Sequence, residues 1–244
     1  MLARDWFFSE RARVGLDALV AARSAIYDHD DSGSRARASL TTLGVQPGWR
    51  VADIGCGSGT LACEAAKMGA EVDAVDIAPA ALALAENQAR DGMIAIRTQS
   101  AGLLSFALGP DSFDLIVSEF TLHHLPDFWK AVALSRMFRA VKPGGRLFLR
   151  DIVFVREPDG AERTVEQWAE FNTKNHDFPC DDVVVHMRDE HSTFGWVIER
   201  MLTDVGFTLV SADYHAPLHG TYLCRKPGAG EPRLQPCRSS AGRR

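Results

Sequence analysis

The chain has 244 residues, 46% apolar and 24% charged, an ordinary globular mixture that can bury the core of one α/β domain with additions. A formal net charge of -5 and a pI near 5.9 exclude a strong general attraction to nucleic acid or anionic lipid. The five cysteines (Cys56, Cys63, Cys180, Cys224, Cys237) are odd in number and contain no CxxC pair, so neither a zinc knuckle nor a disulfide framework is supported.

The N-terminal stretch carries Asp5, Glu10 and Asp17 among its apolar residues, which argues against a secretory h-region and for an amphipathic helix or helix pair. A polar break, "YDHDDSGSR", precedes a helical stretch through Leu40 and Leu43 that ends at "GVQPGW". Strands and helices then alternate: strand Arg50–Ile54, helix Leu61–Met68, strand "EVDAVDI", and helix "APAALALAENQARDG" with Pro79 in its first turn. Strands "IAIRT" and "SFDLIVS" follow. The next segment repeats apolar residues at Leu134, Met137, Phe138 and Val141, the spacing of a helix lying on a sheet. "KPGG" turns into strand "RLFLRDIVF". Residues 155–191 interrupt the pattern with one helix around Val165, Trp168 and Phe171 and a polar, His-rich, acidic run. Helix "STFGWVIERMLTDVG", capped by Ser192 or Thr193, leads to strands "FTLVSAD" and "GTYLCRK", too close together for an intervening helix and so paired as an antiparallel hairpin. The expected fold is α/β: a Rossmann-like, doubly wound, seven-stranded sheet, mostly parallel, with a C-terminal antiparallel hairpin. Residues 1–40 would form an N-terminal helical cap, 41–225 the main domain with 155–191 as a substrate lid, and the Gly, Pro, Ser and Arg-rich 226–244 a disordered tail.

"VADIGCGSGT" joins the first strand to the first crossover helix, where such folds meet their ligands. Its spacing is GxGxG, from Gly55, Gly57 and Gly59. A dinucleotide fingerprint requires GxGxxG and a P-loop requires a Lys, and position 60 is Thr with no Lys before it. Asp76, at the tip of the second strand, suits ribose hydroxyls, since an acceptor-only carboxylate meets two donors. Asp53 ends the first strand and can order the loop or face an ammonium.

Four stretches, "VADIGCGSGT", "VDAVDIAPAAL", "SFDLIVSEFTLHHL" and "VKPGGRLFLRDIVF", resemble in order and spacing the motifs of class I S-adenosylmethionine-dependent methyltransferases, nearest the small-molecule branch akin to those of ubiquinone and menaquinone biosynthesis. The resemblance covers about Val45 to Asp151. It implies that S-adenosylmethionine is the cofactor, with Gly55, Cys56 and Gly57 under its methionine part and Asp53 at its amino group. Asp76 would take the ribose hydroxyls, Ile77 would pack on adenine, and Glu119 would contact the methionine end. Tyr27 is similar to an aromatic of the helical cap that closes over the cofactor. Many relatives have an acidic "GDA"-like element after the third strand; here "TQSAG" places Ser100 at that position, with Ala101 offering its backbone amide.

Methyl transfer from a sulfonium asks the protein for alignment, exclusion of water and, for some acceptors, removal of a proton. Tyr27 and Phe120 are the aromatic candidates beside the sulfonium. His123 and His124 of "HHL", and Asp151, are candidates for a base or positioning role, each with an alternative reading as a turn-capping, packing or ion-paired residue. The run from His176 through Asp177, Cys180, Asp181, Asp182, His186, Asp189, Glu190 and His191 lacks HxxxH or HExxH spacing, so no metal is expected and an acidic lid is preferred. The sequence thus points to a cytoplasmic enzyme, monomer or homodimer, that methylates a small molecule held between the N-terminal helices and residues 155–191, without nucleic-acid or membrane partners. RNA or protein methylation, a non-catalytic S-adenosylmethionine-binding protein, and a nicotinamide-dependent oxidoreductase are the alternatives.

Overall fold

The computed structural model describes residues 8–10, 32–155, 158–175, 188–215 and 218–231. Tyr27, the acidic run from His176 to His186 and residues 232–244 lie outside the described residues. The described residues include the helices α1 (Ser32–Thr42), α2 (Thr60–Lys67), α3 (Pro79–Asp91), α4 (Asp127–Ala140), α5 (Ala161–Asn175) and α6 (Gly195–Val205). The strands are β1 (Arg50–Ile54), β2 (Glu71–Asp76), β3 (Arg97–Ser100), β4 (Phe113–Glu119), β5 (Val141–Phe154), β6 (Thr193–Phe194), β7 (Thr208–His215) and β8 (His219–Arg225). They form one sheet in the order β3-β2-β1-β4-β5-β8-β7, with the two-residue β6 pairing β5. The expected seven strands are therefore present with one short addition. β8 runs antiparallel to both β5 and β7, as the hairpin reading required.

Alternation along the strands divides the core into two layers. Val51, Leu115 and Val117 face Leu40, Leu61, Leu82 and Ala85 of α1–α3. Ala52, Ile54 and Ile116 face Leu134, Met137 and Leu202 of α4 and α6 on the other side. Both faces of the sheet are covered, so the central strands read as nearly continuous apolar runs. The reversal of strand order falls between β1 and β4, and the crevice at their carboxyl ends is where such sheets bind ligands.

Several elements differ from the sequence expectation, each for a physical reason. β3 starts at Arg97 rather than Ile94, because the Ile94 amide donates to Ala89 O at 2.8 Å and closes the end of α3. β5 begins at Val141; Phe113 pairs with Val141 and Leu115 with Arg146, so "KPGG" bulges out of a continuous strand instead of separating a helix from it. Ser192 and Thr193 do not cap α6. Thr193 and Phe194 pair with Val153 and Phe154, the N-cap position is Phe194, and Thr193 Oγ1 donates to Asp127 Oδ2 at 3.2 Å. Lys226, expected in a disordered tail, extends the β8 edge: its amide donates to Gly145 O and its carbonyl accepts from Gly144 N, both at 2.9 Å. Its ammonium reaches Asp111 Oδ1 at 2.7 Å.

Gly59 carries out the close packing that a third glycine serves in dinucleotide folds. Its φ is 84°, and a Cβ there would lie 2.5 Å from Ala85 Cβ and 2.9 Å from Ala85 Cα, so α2 and α3 touch through a bare Cα. Gly59→Ala is expected to destabilise the fold by about 1–3 kcal/mol, read as a lower midpoint in urea unfolding. An unchanged midpoint would show that this contact can relax.

Candidate functional site: a glycine loop ringed by carboxylates

The loop after β1 is held from below by backbone bonds. Gly55 N and Cys56 N both donate to Val75 O, at 2.7 and 3.0 Å, which ties the loop to the end of β2. Gly55 has φ 82°, and a Cβ there would collide with Thr121 Oγ1, so the loop also abuts the turn that follows β4. Gly57 differs: its φ is 53° and no atom lies within 4 Å of where a Cβ would stand. That open space above a bare backbone is the surface on which a ligand can lie. Cys56, 9% exposed, is a packing residue whose thiol burial pushes up.

Three carboxylates come together at the strand ends because β1, β2 and β4 stop in register. Asp53 pairs with Ala74 and Val117, and Asp76 and Glu119 close β2 and β4. Asp76 serves the loop directly: Oδ2 accepts from Gly57 N and Oδ1 from Ala78 N, both at 2.9 Å. Asp53 is 3% exposed, and its Oδ2 is buried with no hydrogen-bond partner. Burial first, then the charges of Glu119 and Asp76, push its pKa up to about 8. Glu119 is also raised by burial, against the opposing charge of Arg150 at 3.2 Å. A buried, proton-holding carboxyl with an orphaned oxygen beside two more acids is an arrangement completed by a cation. An α-ammonium group fits it, and the open face of Gly57 fits the chain that carries the ammonium.

Ile77 is half-buried next to Asp76, and Ser100 is exposed at the end of β3. The Ala101 amide is not available to a ligand: it donates to Asp76 O at 3.0 Å, which corrects the expectation that it faces adenine. Phe120 has φ 51°, a left-handed conformation uncommon for an aromatic residue, and its ring lies 5.3 Å from that of His219. Residues held this way cluster at ligand sites.

A second cluster lies just past β4. His123 is 4% exposed; its Nδ1 lies 2.5 Å from Asp151 Oδ1 and its amide donates to Asp151 Oδ2 at 3.0 Å. Asp151 is therefore interior to β5 and bonded to His123, not paired with Arg150 or solvent, because Arg150 points to Glu119 on the neighbouring strand. His123 Nε2 meets Glu190 Oε2 at 3.2 Å, and His124 Nδ1 lies 3.7 Å from Glu190 Oε1. Burial acts to lower the His123 pKa, but the charges and hydrogen bonds of Asp151 and Glu190 outweigh it and push it up to about 9. Glu190 belongs to the acidic run and shares no sequence spacing with "HHL", so nothing in the sequence linked them. Lys130 was missed for a similar reason: a lysine on a helix reads as solvent-facing, yet it is 1% exposed, with its ammonium 2.7 Å from Asp127 Oδ1 and donating to His191 O.

A doubly wound sheet with a glycine loop at the switch point and acids on the first, second and fourth strands defines a class I nucleoside-cofactor fold of the methyltransferase kind. Residues 51–145 match the methyltransferase-domain family, and this part of the chain resembles class I S-adenosylmethionine-dependent methyltransferases. The chain is 39% identical over 106 residues to a ubiquinone biosynthesis O-methyltransferase of Xanthomonas campestris pv. campestris (strain B100), a match covering 42% of this chain and 43% of that protein. It thus aligns with less than half the length of this curated relative. Among solved structures, phosphoethanolamine N-methyltransferase 2 of Haemonchus contortus in complex with S-adenosylmethionine superposes with a TM-score of 0.67 at 18% identity, over 86% of this chain and 57% of that one. The cyclase SpnF superposes with a TM-score of 0.63 at 14% identity, over 83% and 86%. These two likenesses establish the fold, which hosts more than one reaction.

Native Asp53 keeps its proton to about pH 8, whereas in an unfolded chain it loses it near pH 4, at about 3.9. The folded state therefore binds the extra proton between these values, and this group's contribution to stability falls as pH rises through them. Asp53→Asn removes that dependence. The melting temperature of the variant minus that of the wild type, without ligand, is expected to increase from about pH 5 to about pH 8. A difference independent of pH would refute the proton-holding state.

Proposed function

We propose that this chain transfers a methyl group from S-adenosylmethionine to a small-molecule acceptor. The observation that carries the reading is the buried Asp53 carboxyl with its orphaned Oδ2, set with Glu119 and Asp76 around the open face of Gly57. When bound, the cofactor supplies an electrophilic methyl on a sulfonium, which is displaced in line. The chain supplies the rest. Asp53 and Glu119 take the ammonium, which favours ionised Asp53 once the ligand is present. Asp76 holds the loop and accepts from the ribose hydroxyls, Ile77 packs against the adenine, and Ser100 Oγ is placed near its amino group. Phe120 is the described aromatic at the acceptor side. His123, fixed as a cation between Asp151 and Glu190, positions that side of the site and does not abstract a proton in this state; His124 is the more exposed of the pair.

The acidic net charge and the lack of an "NPPY"-like element at "SEFT" favour a small acceptor over RNA or protein. Among the described residues no helix is long and apolar enough to cross a membrane. Cytoplasmic placement and a monomeric or homodimeric state complete the proposal.

Two measurements test it. Incubation with methyl-labelled cofactor and a fractionated cell extract should place label in the low-mass fraction. Label found only in RNA or protein would overturn the acceptor class, and no label despite cofactor binding would favour a binding protein. For Asp76, the wild type should prefer S-adenosylmethionine to its 2′-deoxy analogue by about 1–3 kcal/mol, while Asp76→Ala binds both more weakly and nearly equally. A wild type that fails to discriminate would sink the ribose assignment.

A further inference from the structure

We propose that His123, His124 and Glu190 form a divalent-cation site that holds an oxygen-bearing acceptor. The donor atoms of these three side chains lie within 4.8 Å of one another. Both oxygens of Glu190 are used: Oε2 stands 3.2 Å from His123 Nε2 and Oε1 stands 3.7 Å from His124 Nδ1. Nitrogen and oxygen ligands about 2.0–2.1 Å from a tetrahedral cation sit roughly 3.4 Å from each other, so the 3.2 and 3.7 Å separations fit, and the two imidazoles close from within 4.8 Å as the cation binds.

The surroundings have the form of a built site. Asp151 Oδ1 lies 2.5 Å from His123 Nδ1, which fixes the ring with Nε2 directed at Glu190. A carboxylate behind a ligand histidine is the usual outer partner of such a metal. Glu190 is delivered by an anchored segment. His191 N donates to His123 O at 2.8 Å, the buried Lys130 ammonium donates to His191 O, and Thr193–Phe194 pairs with Val153–Phe154. Asp151 and Glu190 supply two negative charges, which a divalent cation balances.

Two imidazoles and one carboxylate suit Zn²⁺ or Co²⁺ better than Mg²⁺ or Ca²⁺, which prefer oxygen ligands. Three protein ligands leave positions open, as catalytic rather than closed sites do. The cluster follows β4, at the same sheet end as the glycine loop and three residues after Phe120. The acceptor class follows from this, and here the inference rests on the methyl-transfer reading: a small molecule with a hydroxyl beside a second oxygen, able to chelate. The cation holds and acidifies the hydroxyl, whose proton passes to water. The O–CH₃ bond then forms as the S–CH₃ bond breaks, and that bonding pair stays on sulfur as the neutral thioether.

The test uses the full chain, stripped with a chelator and titrated with Co²⁺ without cofactor or acceptor. A visible ligand-field absorption saturating at one equivalent is expected, removed by His124→Ala and by Glu190→Gln, with Asp151→Asn weakening Co²⁺ binding about 10–100-fold. Circular dichroism checks that each variant is folded; His124, the most exposed of the ligands, is the variant least dependent on core packing. No absorption, or an absorption unchanged in both ligand variants, overturns the site. Calorimetry with S-adenosylmethionine on the same preparation separates the two readings. Cofactor binding without Co²⁺ binding removes the cation site and leaves the methyltransferase; Co²⁺ binding without cofactor binding keeps the site and removes the acceptor assignment.

Discussion

Burying acids costs free energy unless a cation or a set of donors meets them, and the switch point of this sheet buries one almost completely. Asp53 sits 3% exposed with an oxygen that nothing in the described structure satisfies, and Glu119 and Asp76 raise its pKa further. The fold tolerates this because both helical layers cover the sheet, so apolar packing at Val51, Ile54, Leu115 and Ile116 outweighs one strained group. The arrangement stores a preference for a positively charged ligand.

Asp76 links that preference to geometry. The Asp76 carboxylate accepts from Gly57 and Ala78, so the loop and the start of α3 are held in one conformation before anything binds. Pre-ordering of this kind lowers the entropy lost on binding. Gly55 and Gly59 make the arrangement possible from the other side: one lets Thr121 approach the loop, the other lets α2 touch α3. Three glycines at alternate positions thus have three different duties, and Gly57 alone leaves open space above it.

The second cluster shows how a remote segment joins residues far apart in the chain. β5 brings Asp151 to His123, and the pairing of β6 with the end of β5 sets the path that carries Glu190 to both histidines. Lys130 fastens this path from α4, a buried ammonium satisfied by Asp127 and by the carbonyl of His191. The fold alone does not decide the reaction, since a cyclase and a methyltransferase both superpose on it.

Local pattern by itself determined a great deal: the alternation of strands and helices, the closing hairpin, the GxGxG loop, and Asp53, Asp76 and Glu119 at strand ends. These features depend on neighbours a few residues apart, where apolar period and glycine spacing are legible. Only the tertiary structure decided that Asp151 is an interior partner of His123, that the Ala101 amide belongs to Asp76, that Thr193 pairs rather than caps, and that Glu190 and Lys130 join the site. Each of these depends on contacts between residues far apart in the chain. No periodicity records such contacts, because they exist only once the sheet has set which strand ends lie side by side.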